Sequence, residues 1–239
     1  MHIRNSLRTP LIVALTATVL TALTACSGSD GDTDAADPAA LLTAARASLD
    51  GTDSAQFTLT STNVPGDGTR LVGGEGVVAR PNSFQGKLGV QLNGSKVSID
   101  LISTGGKVYA KLPFSNTFTI TNPADFGLSD PANLIDPKTG ISRMFGELTG
   151  ITNLGDKRIG DDVVTELDGS LPGALVDALF SNADPAQPVQ TKLYITKSTK
   201  QLRRADLTGP FFDKTQDSTF TVLLDKYGAP VTIAAPTTS

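Results

Sequence analysis

Apolar and polar side chains alternate along most of the chain from residue 55 onward. In the run 88–92, for example, apolar side chains stand at 88, 90 and 92, with small or polar ones between them. This period of two indicates strands that place one face on a core. The pairs Asn93-Gly94 and Gly105-Gly106 favour two-residue hairpin turns, so the strands are expected to be antiparallel. Strands are predicted at residues 55–60, 77–80, 88–92, 97–101, 108–112, 118–120, 151–158, 163–167, 189–196, 201–207, 220–224 and 231–233.

Three segments have helical spacing instead. The first begins at Asp37, a favourable N-cap, and ends at Gly51. The second begins at Asp136-Pro137 and continues to about Leu148, after a separate helix start at Asp130-Pro131. The third begins at about residue 170. The apolar positions of the three segments are, in order, Leu41, Leu42, Ala45 and Leu49; Ile141, Met144, Phe145 and Leu148; and Leu171, Ala174, Leu175, Ala178 and Leu179.

These elements predict an α+β fold. A sheet of about ten strands must curl, and helices can then cover only its concave face. The sequence therefore predicts a curled antiparallel half-barrel sheet with helices on the concave face.

The amino terminus has the pattern of a secretion signal. Arg4 and Arg8 precede an uncharged apolar run over residues 11–25, which is short for a membrane-spanning helix. The run ends in Leu23-Thr24-Ala25-Cys26, which resembles the lipobox of bacterial lipoproteins. We therefore predict a signal peptide over 1–25, lipidation of Cys26, an acidic flexible tether over 26–37 and a folded domain over 38–239. An ordinary secretory signal with a chance cysteine is the alternative.

Composition excludes several classes of function. Without the signal, 18 basic and 24 acidic side chains remain, a net charge of −6, which argues against nucleic-acid binding. The chain has one histidine, His2, and it lies in the signal. Histidine-dependent catalysis, histidine-bound zinc and histidine-ligated haem are therefore excluded. We expect no enzyme activity, no metal site and no cofactor.

Several motifs, in their order, are similar to those of the LppX/LprA/LprF/LprG family of mycobacterial-type cell-envelope lipoproteins. They are the lipobox at Cys26, the segments 86–94 and 106–110, the DPANLIDPKTGI segment at 130–141 and the ending VLLDKYG at 222–228. The resemblance implies a cavity, enclosed by sheet and helices, that holds acyl chains of envelope lipids or lipoglycans. It also implies carriage of such lipids across the envelope, with a lipid-exporting transporter as a possible partner. The protein would be anchored at the outer face of the cytoplasmic membrane or in the cell wall.

The apolar positions of the strands and helices supply the candidate cavity lining. Leu88 matches a valine at the cavity mouth in relatives, and the helices at 141–148 and 171–180 are the candidate movable wall. The candidate lining residues are Leu88, Val90, Val97, Ile99, Leu101, Phe118, Ile141, Met144, Phe145, Leu148, Leu175 and Leu179. Such residues also fit an ordinary core, which leaves two alternatives open: a chaperone or sorting factor for acylated lipoproteins, and a non-catalytic envelope interaction module.

A local basic patch lies near the carboxyl end. It comprises Lys197, Lys200, Arg203 and Arg204. A solvated strand face is one interpretation, and contact with anionic headgroups or envelope polysaccharide is the other.

Overall fold

A computed structural model describes residues 36–65, 68–92, 94–180 and 183–238. The predicted signal, Cys26 and most of the predicted tether lie outside these ranges. The helices are α1 (Pro38–Asp50) and α2 (Gly173–Phe180), with 3₁₀ helices at Pro123–Phe126, Pro131–Asn133 and Ile141–Gly146. The strands are β1 (Ser54–Thr62), β2 (Thr69–Ala79), β3 (Ser83–Leu92), β4 (Ser95–Thr104), β5 (Lys107–Lys111), β6 (Thr119–Thr121), β7 (Thr149–Ile159), β8 (Asp162–Leu171), β9 (Val189–Thr196), β10 (Leu202–Asp213) and β11 (Gln216–Asp225).

All the strands belong to one antiparallel sheet. Its order is β6-β5-β4-β3-β2-β1-β11-β10-β9-β8-β7. Two meanders therefore meet where the first strand pairs with the last, and Phe57 lies opposite Leu224 there. The sheet is not closed, since β6 and β7 are its edges, and the helices are few. The predicted antiparallel α+β fold is confirmed. In the described ranges, no helix is long and apolar enough to cross a bilayer.

The concave face is apolar because strand register aligns the apolar positions. Leu59, Gly74, Leu88 and Ile99 form one row across β1 to β4. The neighbouring row has glycines at 76 and 86, directly opposite each other. A Cβ on either glycine would lie within 2.8 Å of the Phe84 ring. These glycines therefore let the ring lie flat on the sheet, where its centroid is 5.5 Å from that of Phe57.

The predicted helix at 136–148 is wrong. The Asp136 carboxylate accepts hydrogen bonds from the Lys138 and Thr139 amides, as an N-cap does, and the Asp136 carbonyl accepts from the Gly140 amide at 2.8 Å, so a single turn forms. Gly140 is extended, with φ −89° and ψ −164°, and only the 3₁₀ helix Ile141–Gly146 follows. The prediction failed because the apolar residues at 141, 144, 145 and 148 fit the 3.0 residues per turn of a 3₁₀ helix nearly as well as the 3.6 of an α-helix.

The predicted last strand at 231–233 is also wrong. Both edges of β11 are already paired, one with β1 and the other with β10, so the chain after it has no free edge to join. Residues 226–228 turn away, and the Gly228 amide donates to the Ser54 carbonyl. The tail continues without regular structure to an isolated bridge between Thr238 and Phe118.

Candidate functional site

An apolar cavity of about 100 Å³ lies between the sheet and the chain that crosses it. Its floor is formed by Phe57 and Leu59 of β1, Leu71 of β2 and Leu88 of β3. We call the segment 128–139, which covers this floor, the roof. The last turn of α2 forms a side wall. The roof and wall residues at the cavity are Leu128, Ser129, Asp130, Pro131, Asn133, Leu134, Thr139, Ala178, Leu179 and Phe180.

The floor depends on glycine in β2. A Cβ at Gly74 would lie 2.9 Å from Leu88 Cδ2 and 3.0 Å from the Lys87 carbonyl oxygen. The absence of a side chain there gives Leu88 room to lie across the neighbouring strand. The glycine-rich run at 73–76 is thus a packing feature of the cavity floor.

Arg80, just after β2, fixes the roof to the rest of the fold. Its Nη2 donates to the Ile135 carbonyl at 2.7 Å, and its Nε donates to the Thr52 carbonyl at 2.7 Å. The same Nη2 also lies 3.4 and 3.2 Å from the Leu49 and Asp50 carbonyls at the end of α1. A cation is favourable at a helix carboxyl end. One guanidinium therefore joins α1, the sheet and the roof.

The turn at Asp136 gives the roof its shape. The Asp136 carboxylate accepts from two backbone amides and from the Thr139 hydroxyl at 2.9 Å. Burial opposes ionisation, but these hydrogen bonds outweigh it and hold the pKa of Asp136 below its ordinary value. A Cβ at Gly140 would lie 2.4 Å from the Leu134 carbonyl oxygen, so only glycine fits where the roof ends. The DPKTG motif is therefore structural.

The roof meets α2 through two hydrogen bonds between neutral groups, each of a weaker kind than the charge-assisted bond from Arg80. The Ser129 amide donates to the Leu179 carbonyl at 3.2 Å, and the Ser129 hydroxyl donates to the Ala178 carbonyl at 2.5 Å. Both acceptors are among the last carbonyls of a helix, which have no partner within the helix. These two hydrogen bonds and the apolar contacts around Leu179 hold the side of the cavity together.

The predicted lining residues occupy several places. Leu88 and Leu179 line the cavity, whereas Phe145 and Leu148 line a separate, more open groove beside α1. Phe118 lies outside the buried cluster, under the Lys111 ammonium. The others lie in the buried cluster or at its margin: Val90, Val97, Ile99, Leu101, Ile141, Met144 and Leu175.

Most of the cavity lining lies outside the set of residues predicted from the sequence. Phe57 and Leu59 were recognised as strand residues, and their alternation was the available signal for a role on the concave face. Leu128 and Leu134 lie in irregular chain, where no period indicates which side chains turn inward. The nearest signal for them was the DPANLIDPKTGI motif that contains Leu134.

The basic patch is largely neutralised by carboxylates. Lys197 Nζ lies 2.5 Å from Asp156, and Arg204 Nε lies 2.8 Å from Asp206. Arg203 lies 3.1 Å from Asp162 and also near a second carboxylate. The interpretation as a binding site for anionic headgroups thereby loses its main support.

A second ionic cluster lies on the convex face, away from the cavity. The Glu166 side chain is fully buried beneath the ammonium groups of Lys157 and Lys192 and accepts from the Tyr194 hydroxyl at 3.2 Å. Burial opposes ionisation of Glu166, but the two lysines outweigh it and lower its pKa. Burial, then the carboxylates of Asp206 and Glu166, raise the pKa of Tyr194 to about 12. These contacts join β7, β8 and β9.

Comparison with known proteins identifies the family. A model of the LppX_LprAFG lipoprotein family matches residues 37–233. The solved structure of LprF from Mycobacterium bovis superposes with a TM-score of 0.69 at 19% identity, over 83% of this chain and 96% of that one. That of lipoprotein LppX from Mycobacterium tuberculosis superposes at 0.61 and 15% identity, over 82% and 98%. A comparison with curated protein sequences gives no match. The resemblance drawn from the sequence motifs is confirmed, and the chain belongs to the LppX_LprAFG lipoprotein family.

Proposed function

We propose that this protein is an envelope lipoprotein, anchored through Cys26, that takes acyl chains of lipids into the cavity and carries them across the envelope. One observation supports it above all: an apolar cavity lies between the sheet floor and a roof that two hydrogen bonds join to α2. Empty apolar cavities are unfavourable and readily accept apolar ligands.

The energetics suit a carrier. Each buried methylene contributes about 0.8 kcal/mol, so a sixteen-carbon chain gains roughly 12 kcal/mol on leaving water. Leaving a bilayer costs about the same, and exchange between bilayer and cavity is therefore close to neutral. A carrier needs this balance, because a site much tighter than the membrane would never release its lipid.

Binding a whole acyl chain requires the roof to move. A volume of about 100 Å³ accommodates several water-sized groups, far less than a sixteen-carbon chain needs. We infer that the roof separates from α2 at Ser129 and remains attached through Arg80. The hinge therefore lies on the Arg80 side of the roof, and the opening lies beside Leu179.

The chain itself offers a sensitive test, since it contains no tryptophan. A Leu179→Trp variant, produced from Ser27 onward to omit the anchor, places a single fluorophore at the half-buried side wall and leaves the buried floor around Leu88 unchanged. We expect brominated palmitate, added from solution, to quench this fluorescence. A matched Leu154→Trp variant, on the exposed edge strand β7, should not be quenched.

Two further measurements decide between functions. Native mass spectrometry of protein from a lipid-containing host should find lipid bound to the unmodified protein and much less bound to Leu88→Trp, which fills the cavity. Apo protein alone, together with unquenched fluorescence of the Leu179→Trp variant, would refute the proposal. Co-purification of acylated proteins in place of free lipids would identify a lipoprotein sorting factor instead.

A further inference from the structure

Two adjacent hairpins expose large apolar side chains at one end of the sheet. The β3–β4 hairpin and the β5–β6 loop lie at the same end, because β3 and β5 run in the same direction on either side of β4. Leu92 is 39% exposed in the first hairpin, Leu112 is 47% exposed in the second, and Phe114 is fully exposed. We call these three residues the apolar tip.

Phe114 occupies a backbone position that does not suit it. The Ser115 amide donates to the Leu112 carbonyl at 3.0 Å, so residues 112–115 form a β-turn with Pro113 and Phe114 at its centre. The φ of Phe114 is +71°. Glycine or asparagine normally takes this position, and a bulky residue is strained there. Folding alone therefore gives no reason for phenylalanine, which buries nothing in this structure.

The turn is well defined, so Phe114 is held outward. The Ser115 hydroxyl donates to the Thr117 carbonyl at 2.9 Å and accepts from the Thr117 amide at 3.2 Å. Such strained, rigidly held positions are concentrated at functional sites.

Charge around the apolar tip indicates the partner. The sequence contains no charged residue from Leu112 to Ala124, and none of its residues from Leu88 to Ile99 is acidic. Lys96, which is exposed, is the cation nearest in sequence to the turn of the first hairpin. Apolar side chains lie here among serine, threonine and asparagine, and the Asp100 carboxylate beside them is paired with Lys111 at 2.8 Å, so Lys96 is left to face an anionic headgroup region.

Register connects the tip to the cavity. Leu88, in the cavity floor, lies opposite Ile99, and Asp100 lies opposite Lys111. The row through Leu88 and Ile99 therefore continues to Leu112 at the tip. A lipid that leaves a bilayer at the tip meets the concave apolar face without crossing the polar face of the sheet.

We propose that the apolar tip inserts into an anionic phospholipid surface and is where the protein meets a membrane to exchange lipid. The inference rests on the proposed function, since a lipid carrier must meet the membrane from which it takes its lipid. It goes beyond that function by assigning a membrane-contact site separate from the Cys26 anchor.

The test uses protein without the anchor and vesicles of phosphatidylcholine with a quarter phosphatidylglycerol. In a Phe114→Trp variant, the single tryptophan should shift to the blue and be quenched by brominated phospholipid, whereas Leu154→Trp should not respond. Phe114→Gly should bind vesicles with an affinity at least about tenfold lower, because the membrane no longer buries an aromatic side chain. Its thermal midpoint should be unchanged or higher, because glycine relieves the strain. A general folding defect cannot produce that combination.

Each outcome has a separate meaning. An unshifted emission spectrum of Phe114→Trp, or Phe114→Gly that binds vesicles like the native chain, would refute the membrane-contact site. Concentration-dependent self-association that Phe114→Gly abolishes, without vesicle binding, would also refute it and assign the tip to a second copy. If brominated palmitate still quenches the Leu179→Trp variant in either case, the proposed function survives the failure of this inference.

Discussion

Arg80 is the residue whose removal should most clearly separate the roof from the rest of the fold. Its guanidinium makes two short hydrogen bonds, to the Thr52 and Ile135 carbonyls, and two longer ones to the end of α1. Hydrogen bonds from charged donors contribute about 1.5–3 kcal/mol each. The longer contacts add little, and water replaces part of the loss at this half-buried site.

Arg80→Ala should therefore lower the free energy of unfolding by about 3 kcal/mol. For a domain of this size, that lowers the thermal midpoint by roughly 6–12 °C. Arg80→Lys should recover less than half of the loss, because one ammonium cannot reach all the carbonyls that the planar guanidinium spans. Urea unfolding and calorimetry measure both effects.

Hydrogen exchange locates the effect. The Ile141 amide, which donates to the Leu134 carbonyl at the end of the roof, should exchange faster in Arg80→Ala, while amides between β10 and β11 should not change. Arg158→Ala is the matched control, since Arg158 is exposed and makes a long contact within its own hairpin. If Arg80→Ala costs less than about 0.5 kcal/mol, as a surface substitution does, or leaves Ile141 protected, the account of Arg80 is incorrect.

Three other predictions concern the roof and the convex face. Gly140→Ala should cost about 1–3 kcal/mol in urea unfolding, because its Cβ would meet the Leu134 carbonyl oxygen at 2.4 Å; Gly146→Ala, with 3.6 Å to its nearest neighbour, should cost far less. Because the pKa of Asp136 is lowered in the folded chain, its ionised carboxylate stabilises the fold at pH values above the unfolded pKa near 4. This stabilisation is lost as the pH falls through the folded pKa. Asp136→Asn should accordingly flatten the stability profile between about pH 5 and 2, and an unchanged profile would contradict this. For Tyr194, the absorbance at 295 nm is followed against pH in the native protein and in Tyr194→Phe; the difference between the two titrations should have its midpoint near pH 12, not near pH 10.

The raised pKa of Tyr194 also has a consequence for stability. The unfolded chain releases this proton near pH 10, whereas the folded chain retains it to about pH 12. The contribution of the protonated Tyr194 hydroxyl to folding stability is therefore fully present below pH 10 and is lost as pH rises through the folded pKa.

Local pattern was a good guide wherever neighbouring strands decided the structure. The predicted strand at 189–196 has the bounds of β9, and the glycine pair at 105–106 forms the predicted two-residue turn between Thr104 and Lys107. The N-cap Asp37 and the end at Gly51 bound α1 as expected. In these segments, side-chain alternation and turn chemistry are properties of adjacent residues, so the sequence contains them directly.

The sequence by itself determined the class of fold, through a period of two interrupted by short apolar stripes, and its motifs indicated the family. It could not determine which apolar side chains enclose a void. Leu88 and Leu179 lie far apart in the chain and meet at one cavity only because β1 to β3, the roof and α2 are brought together. Nor could it assign Arg80, whose role depends on carbonyls from two segments far apart in the chain, 49–52 and Ile135. Enclosure and long-range hydrogen bonding are properties of the assembled chain, and periodicity describes only what each segment presents to its neighbours.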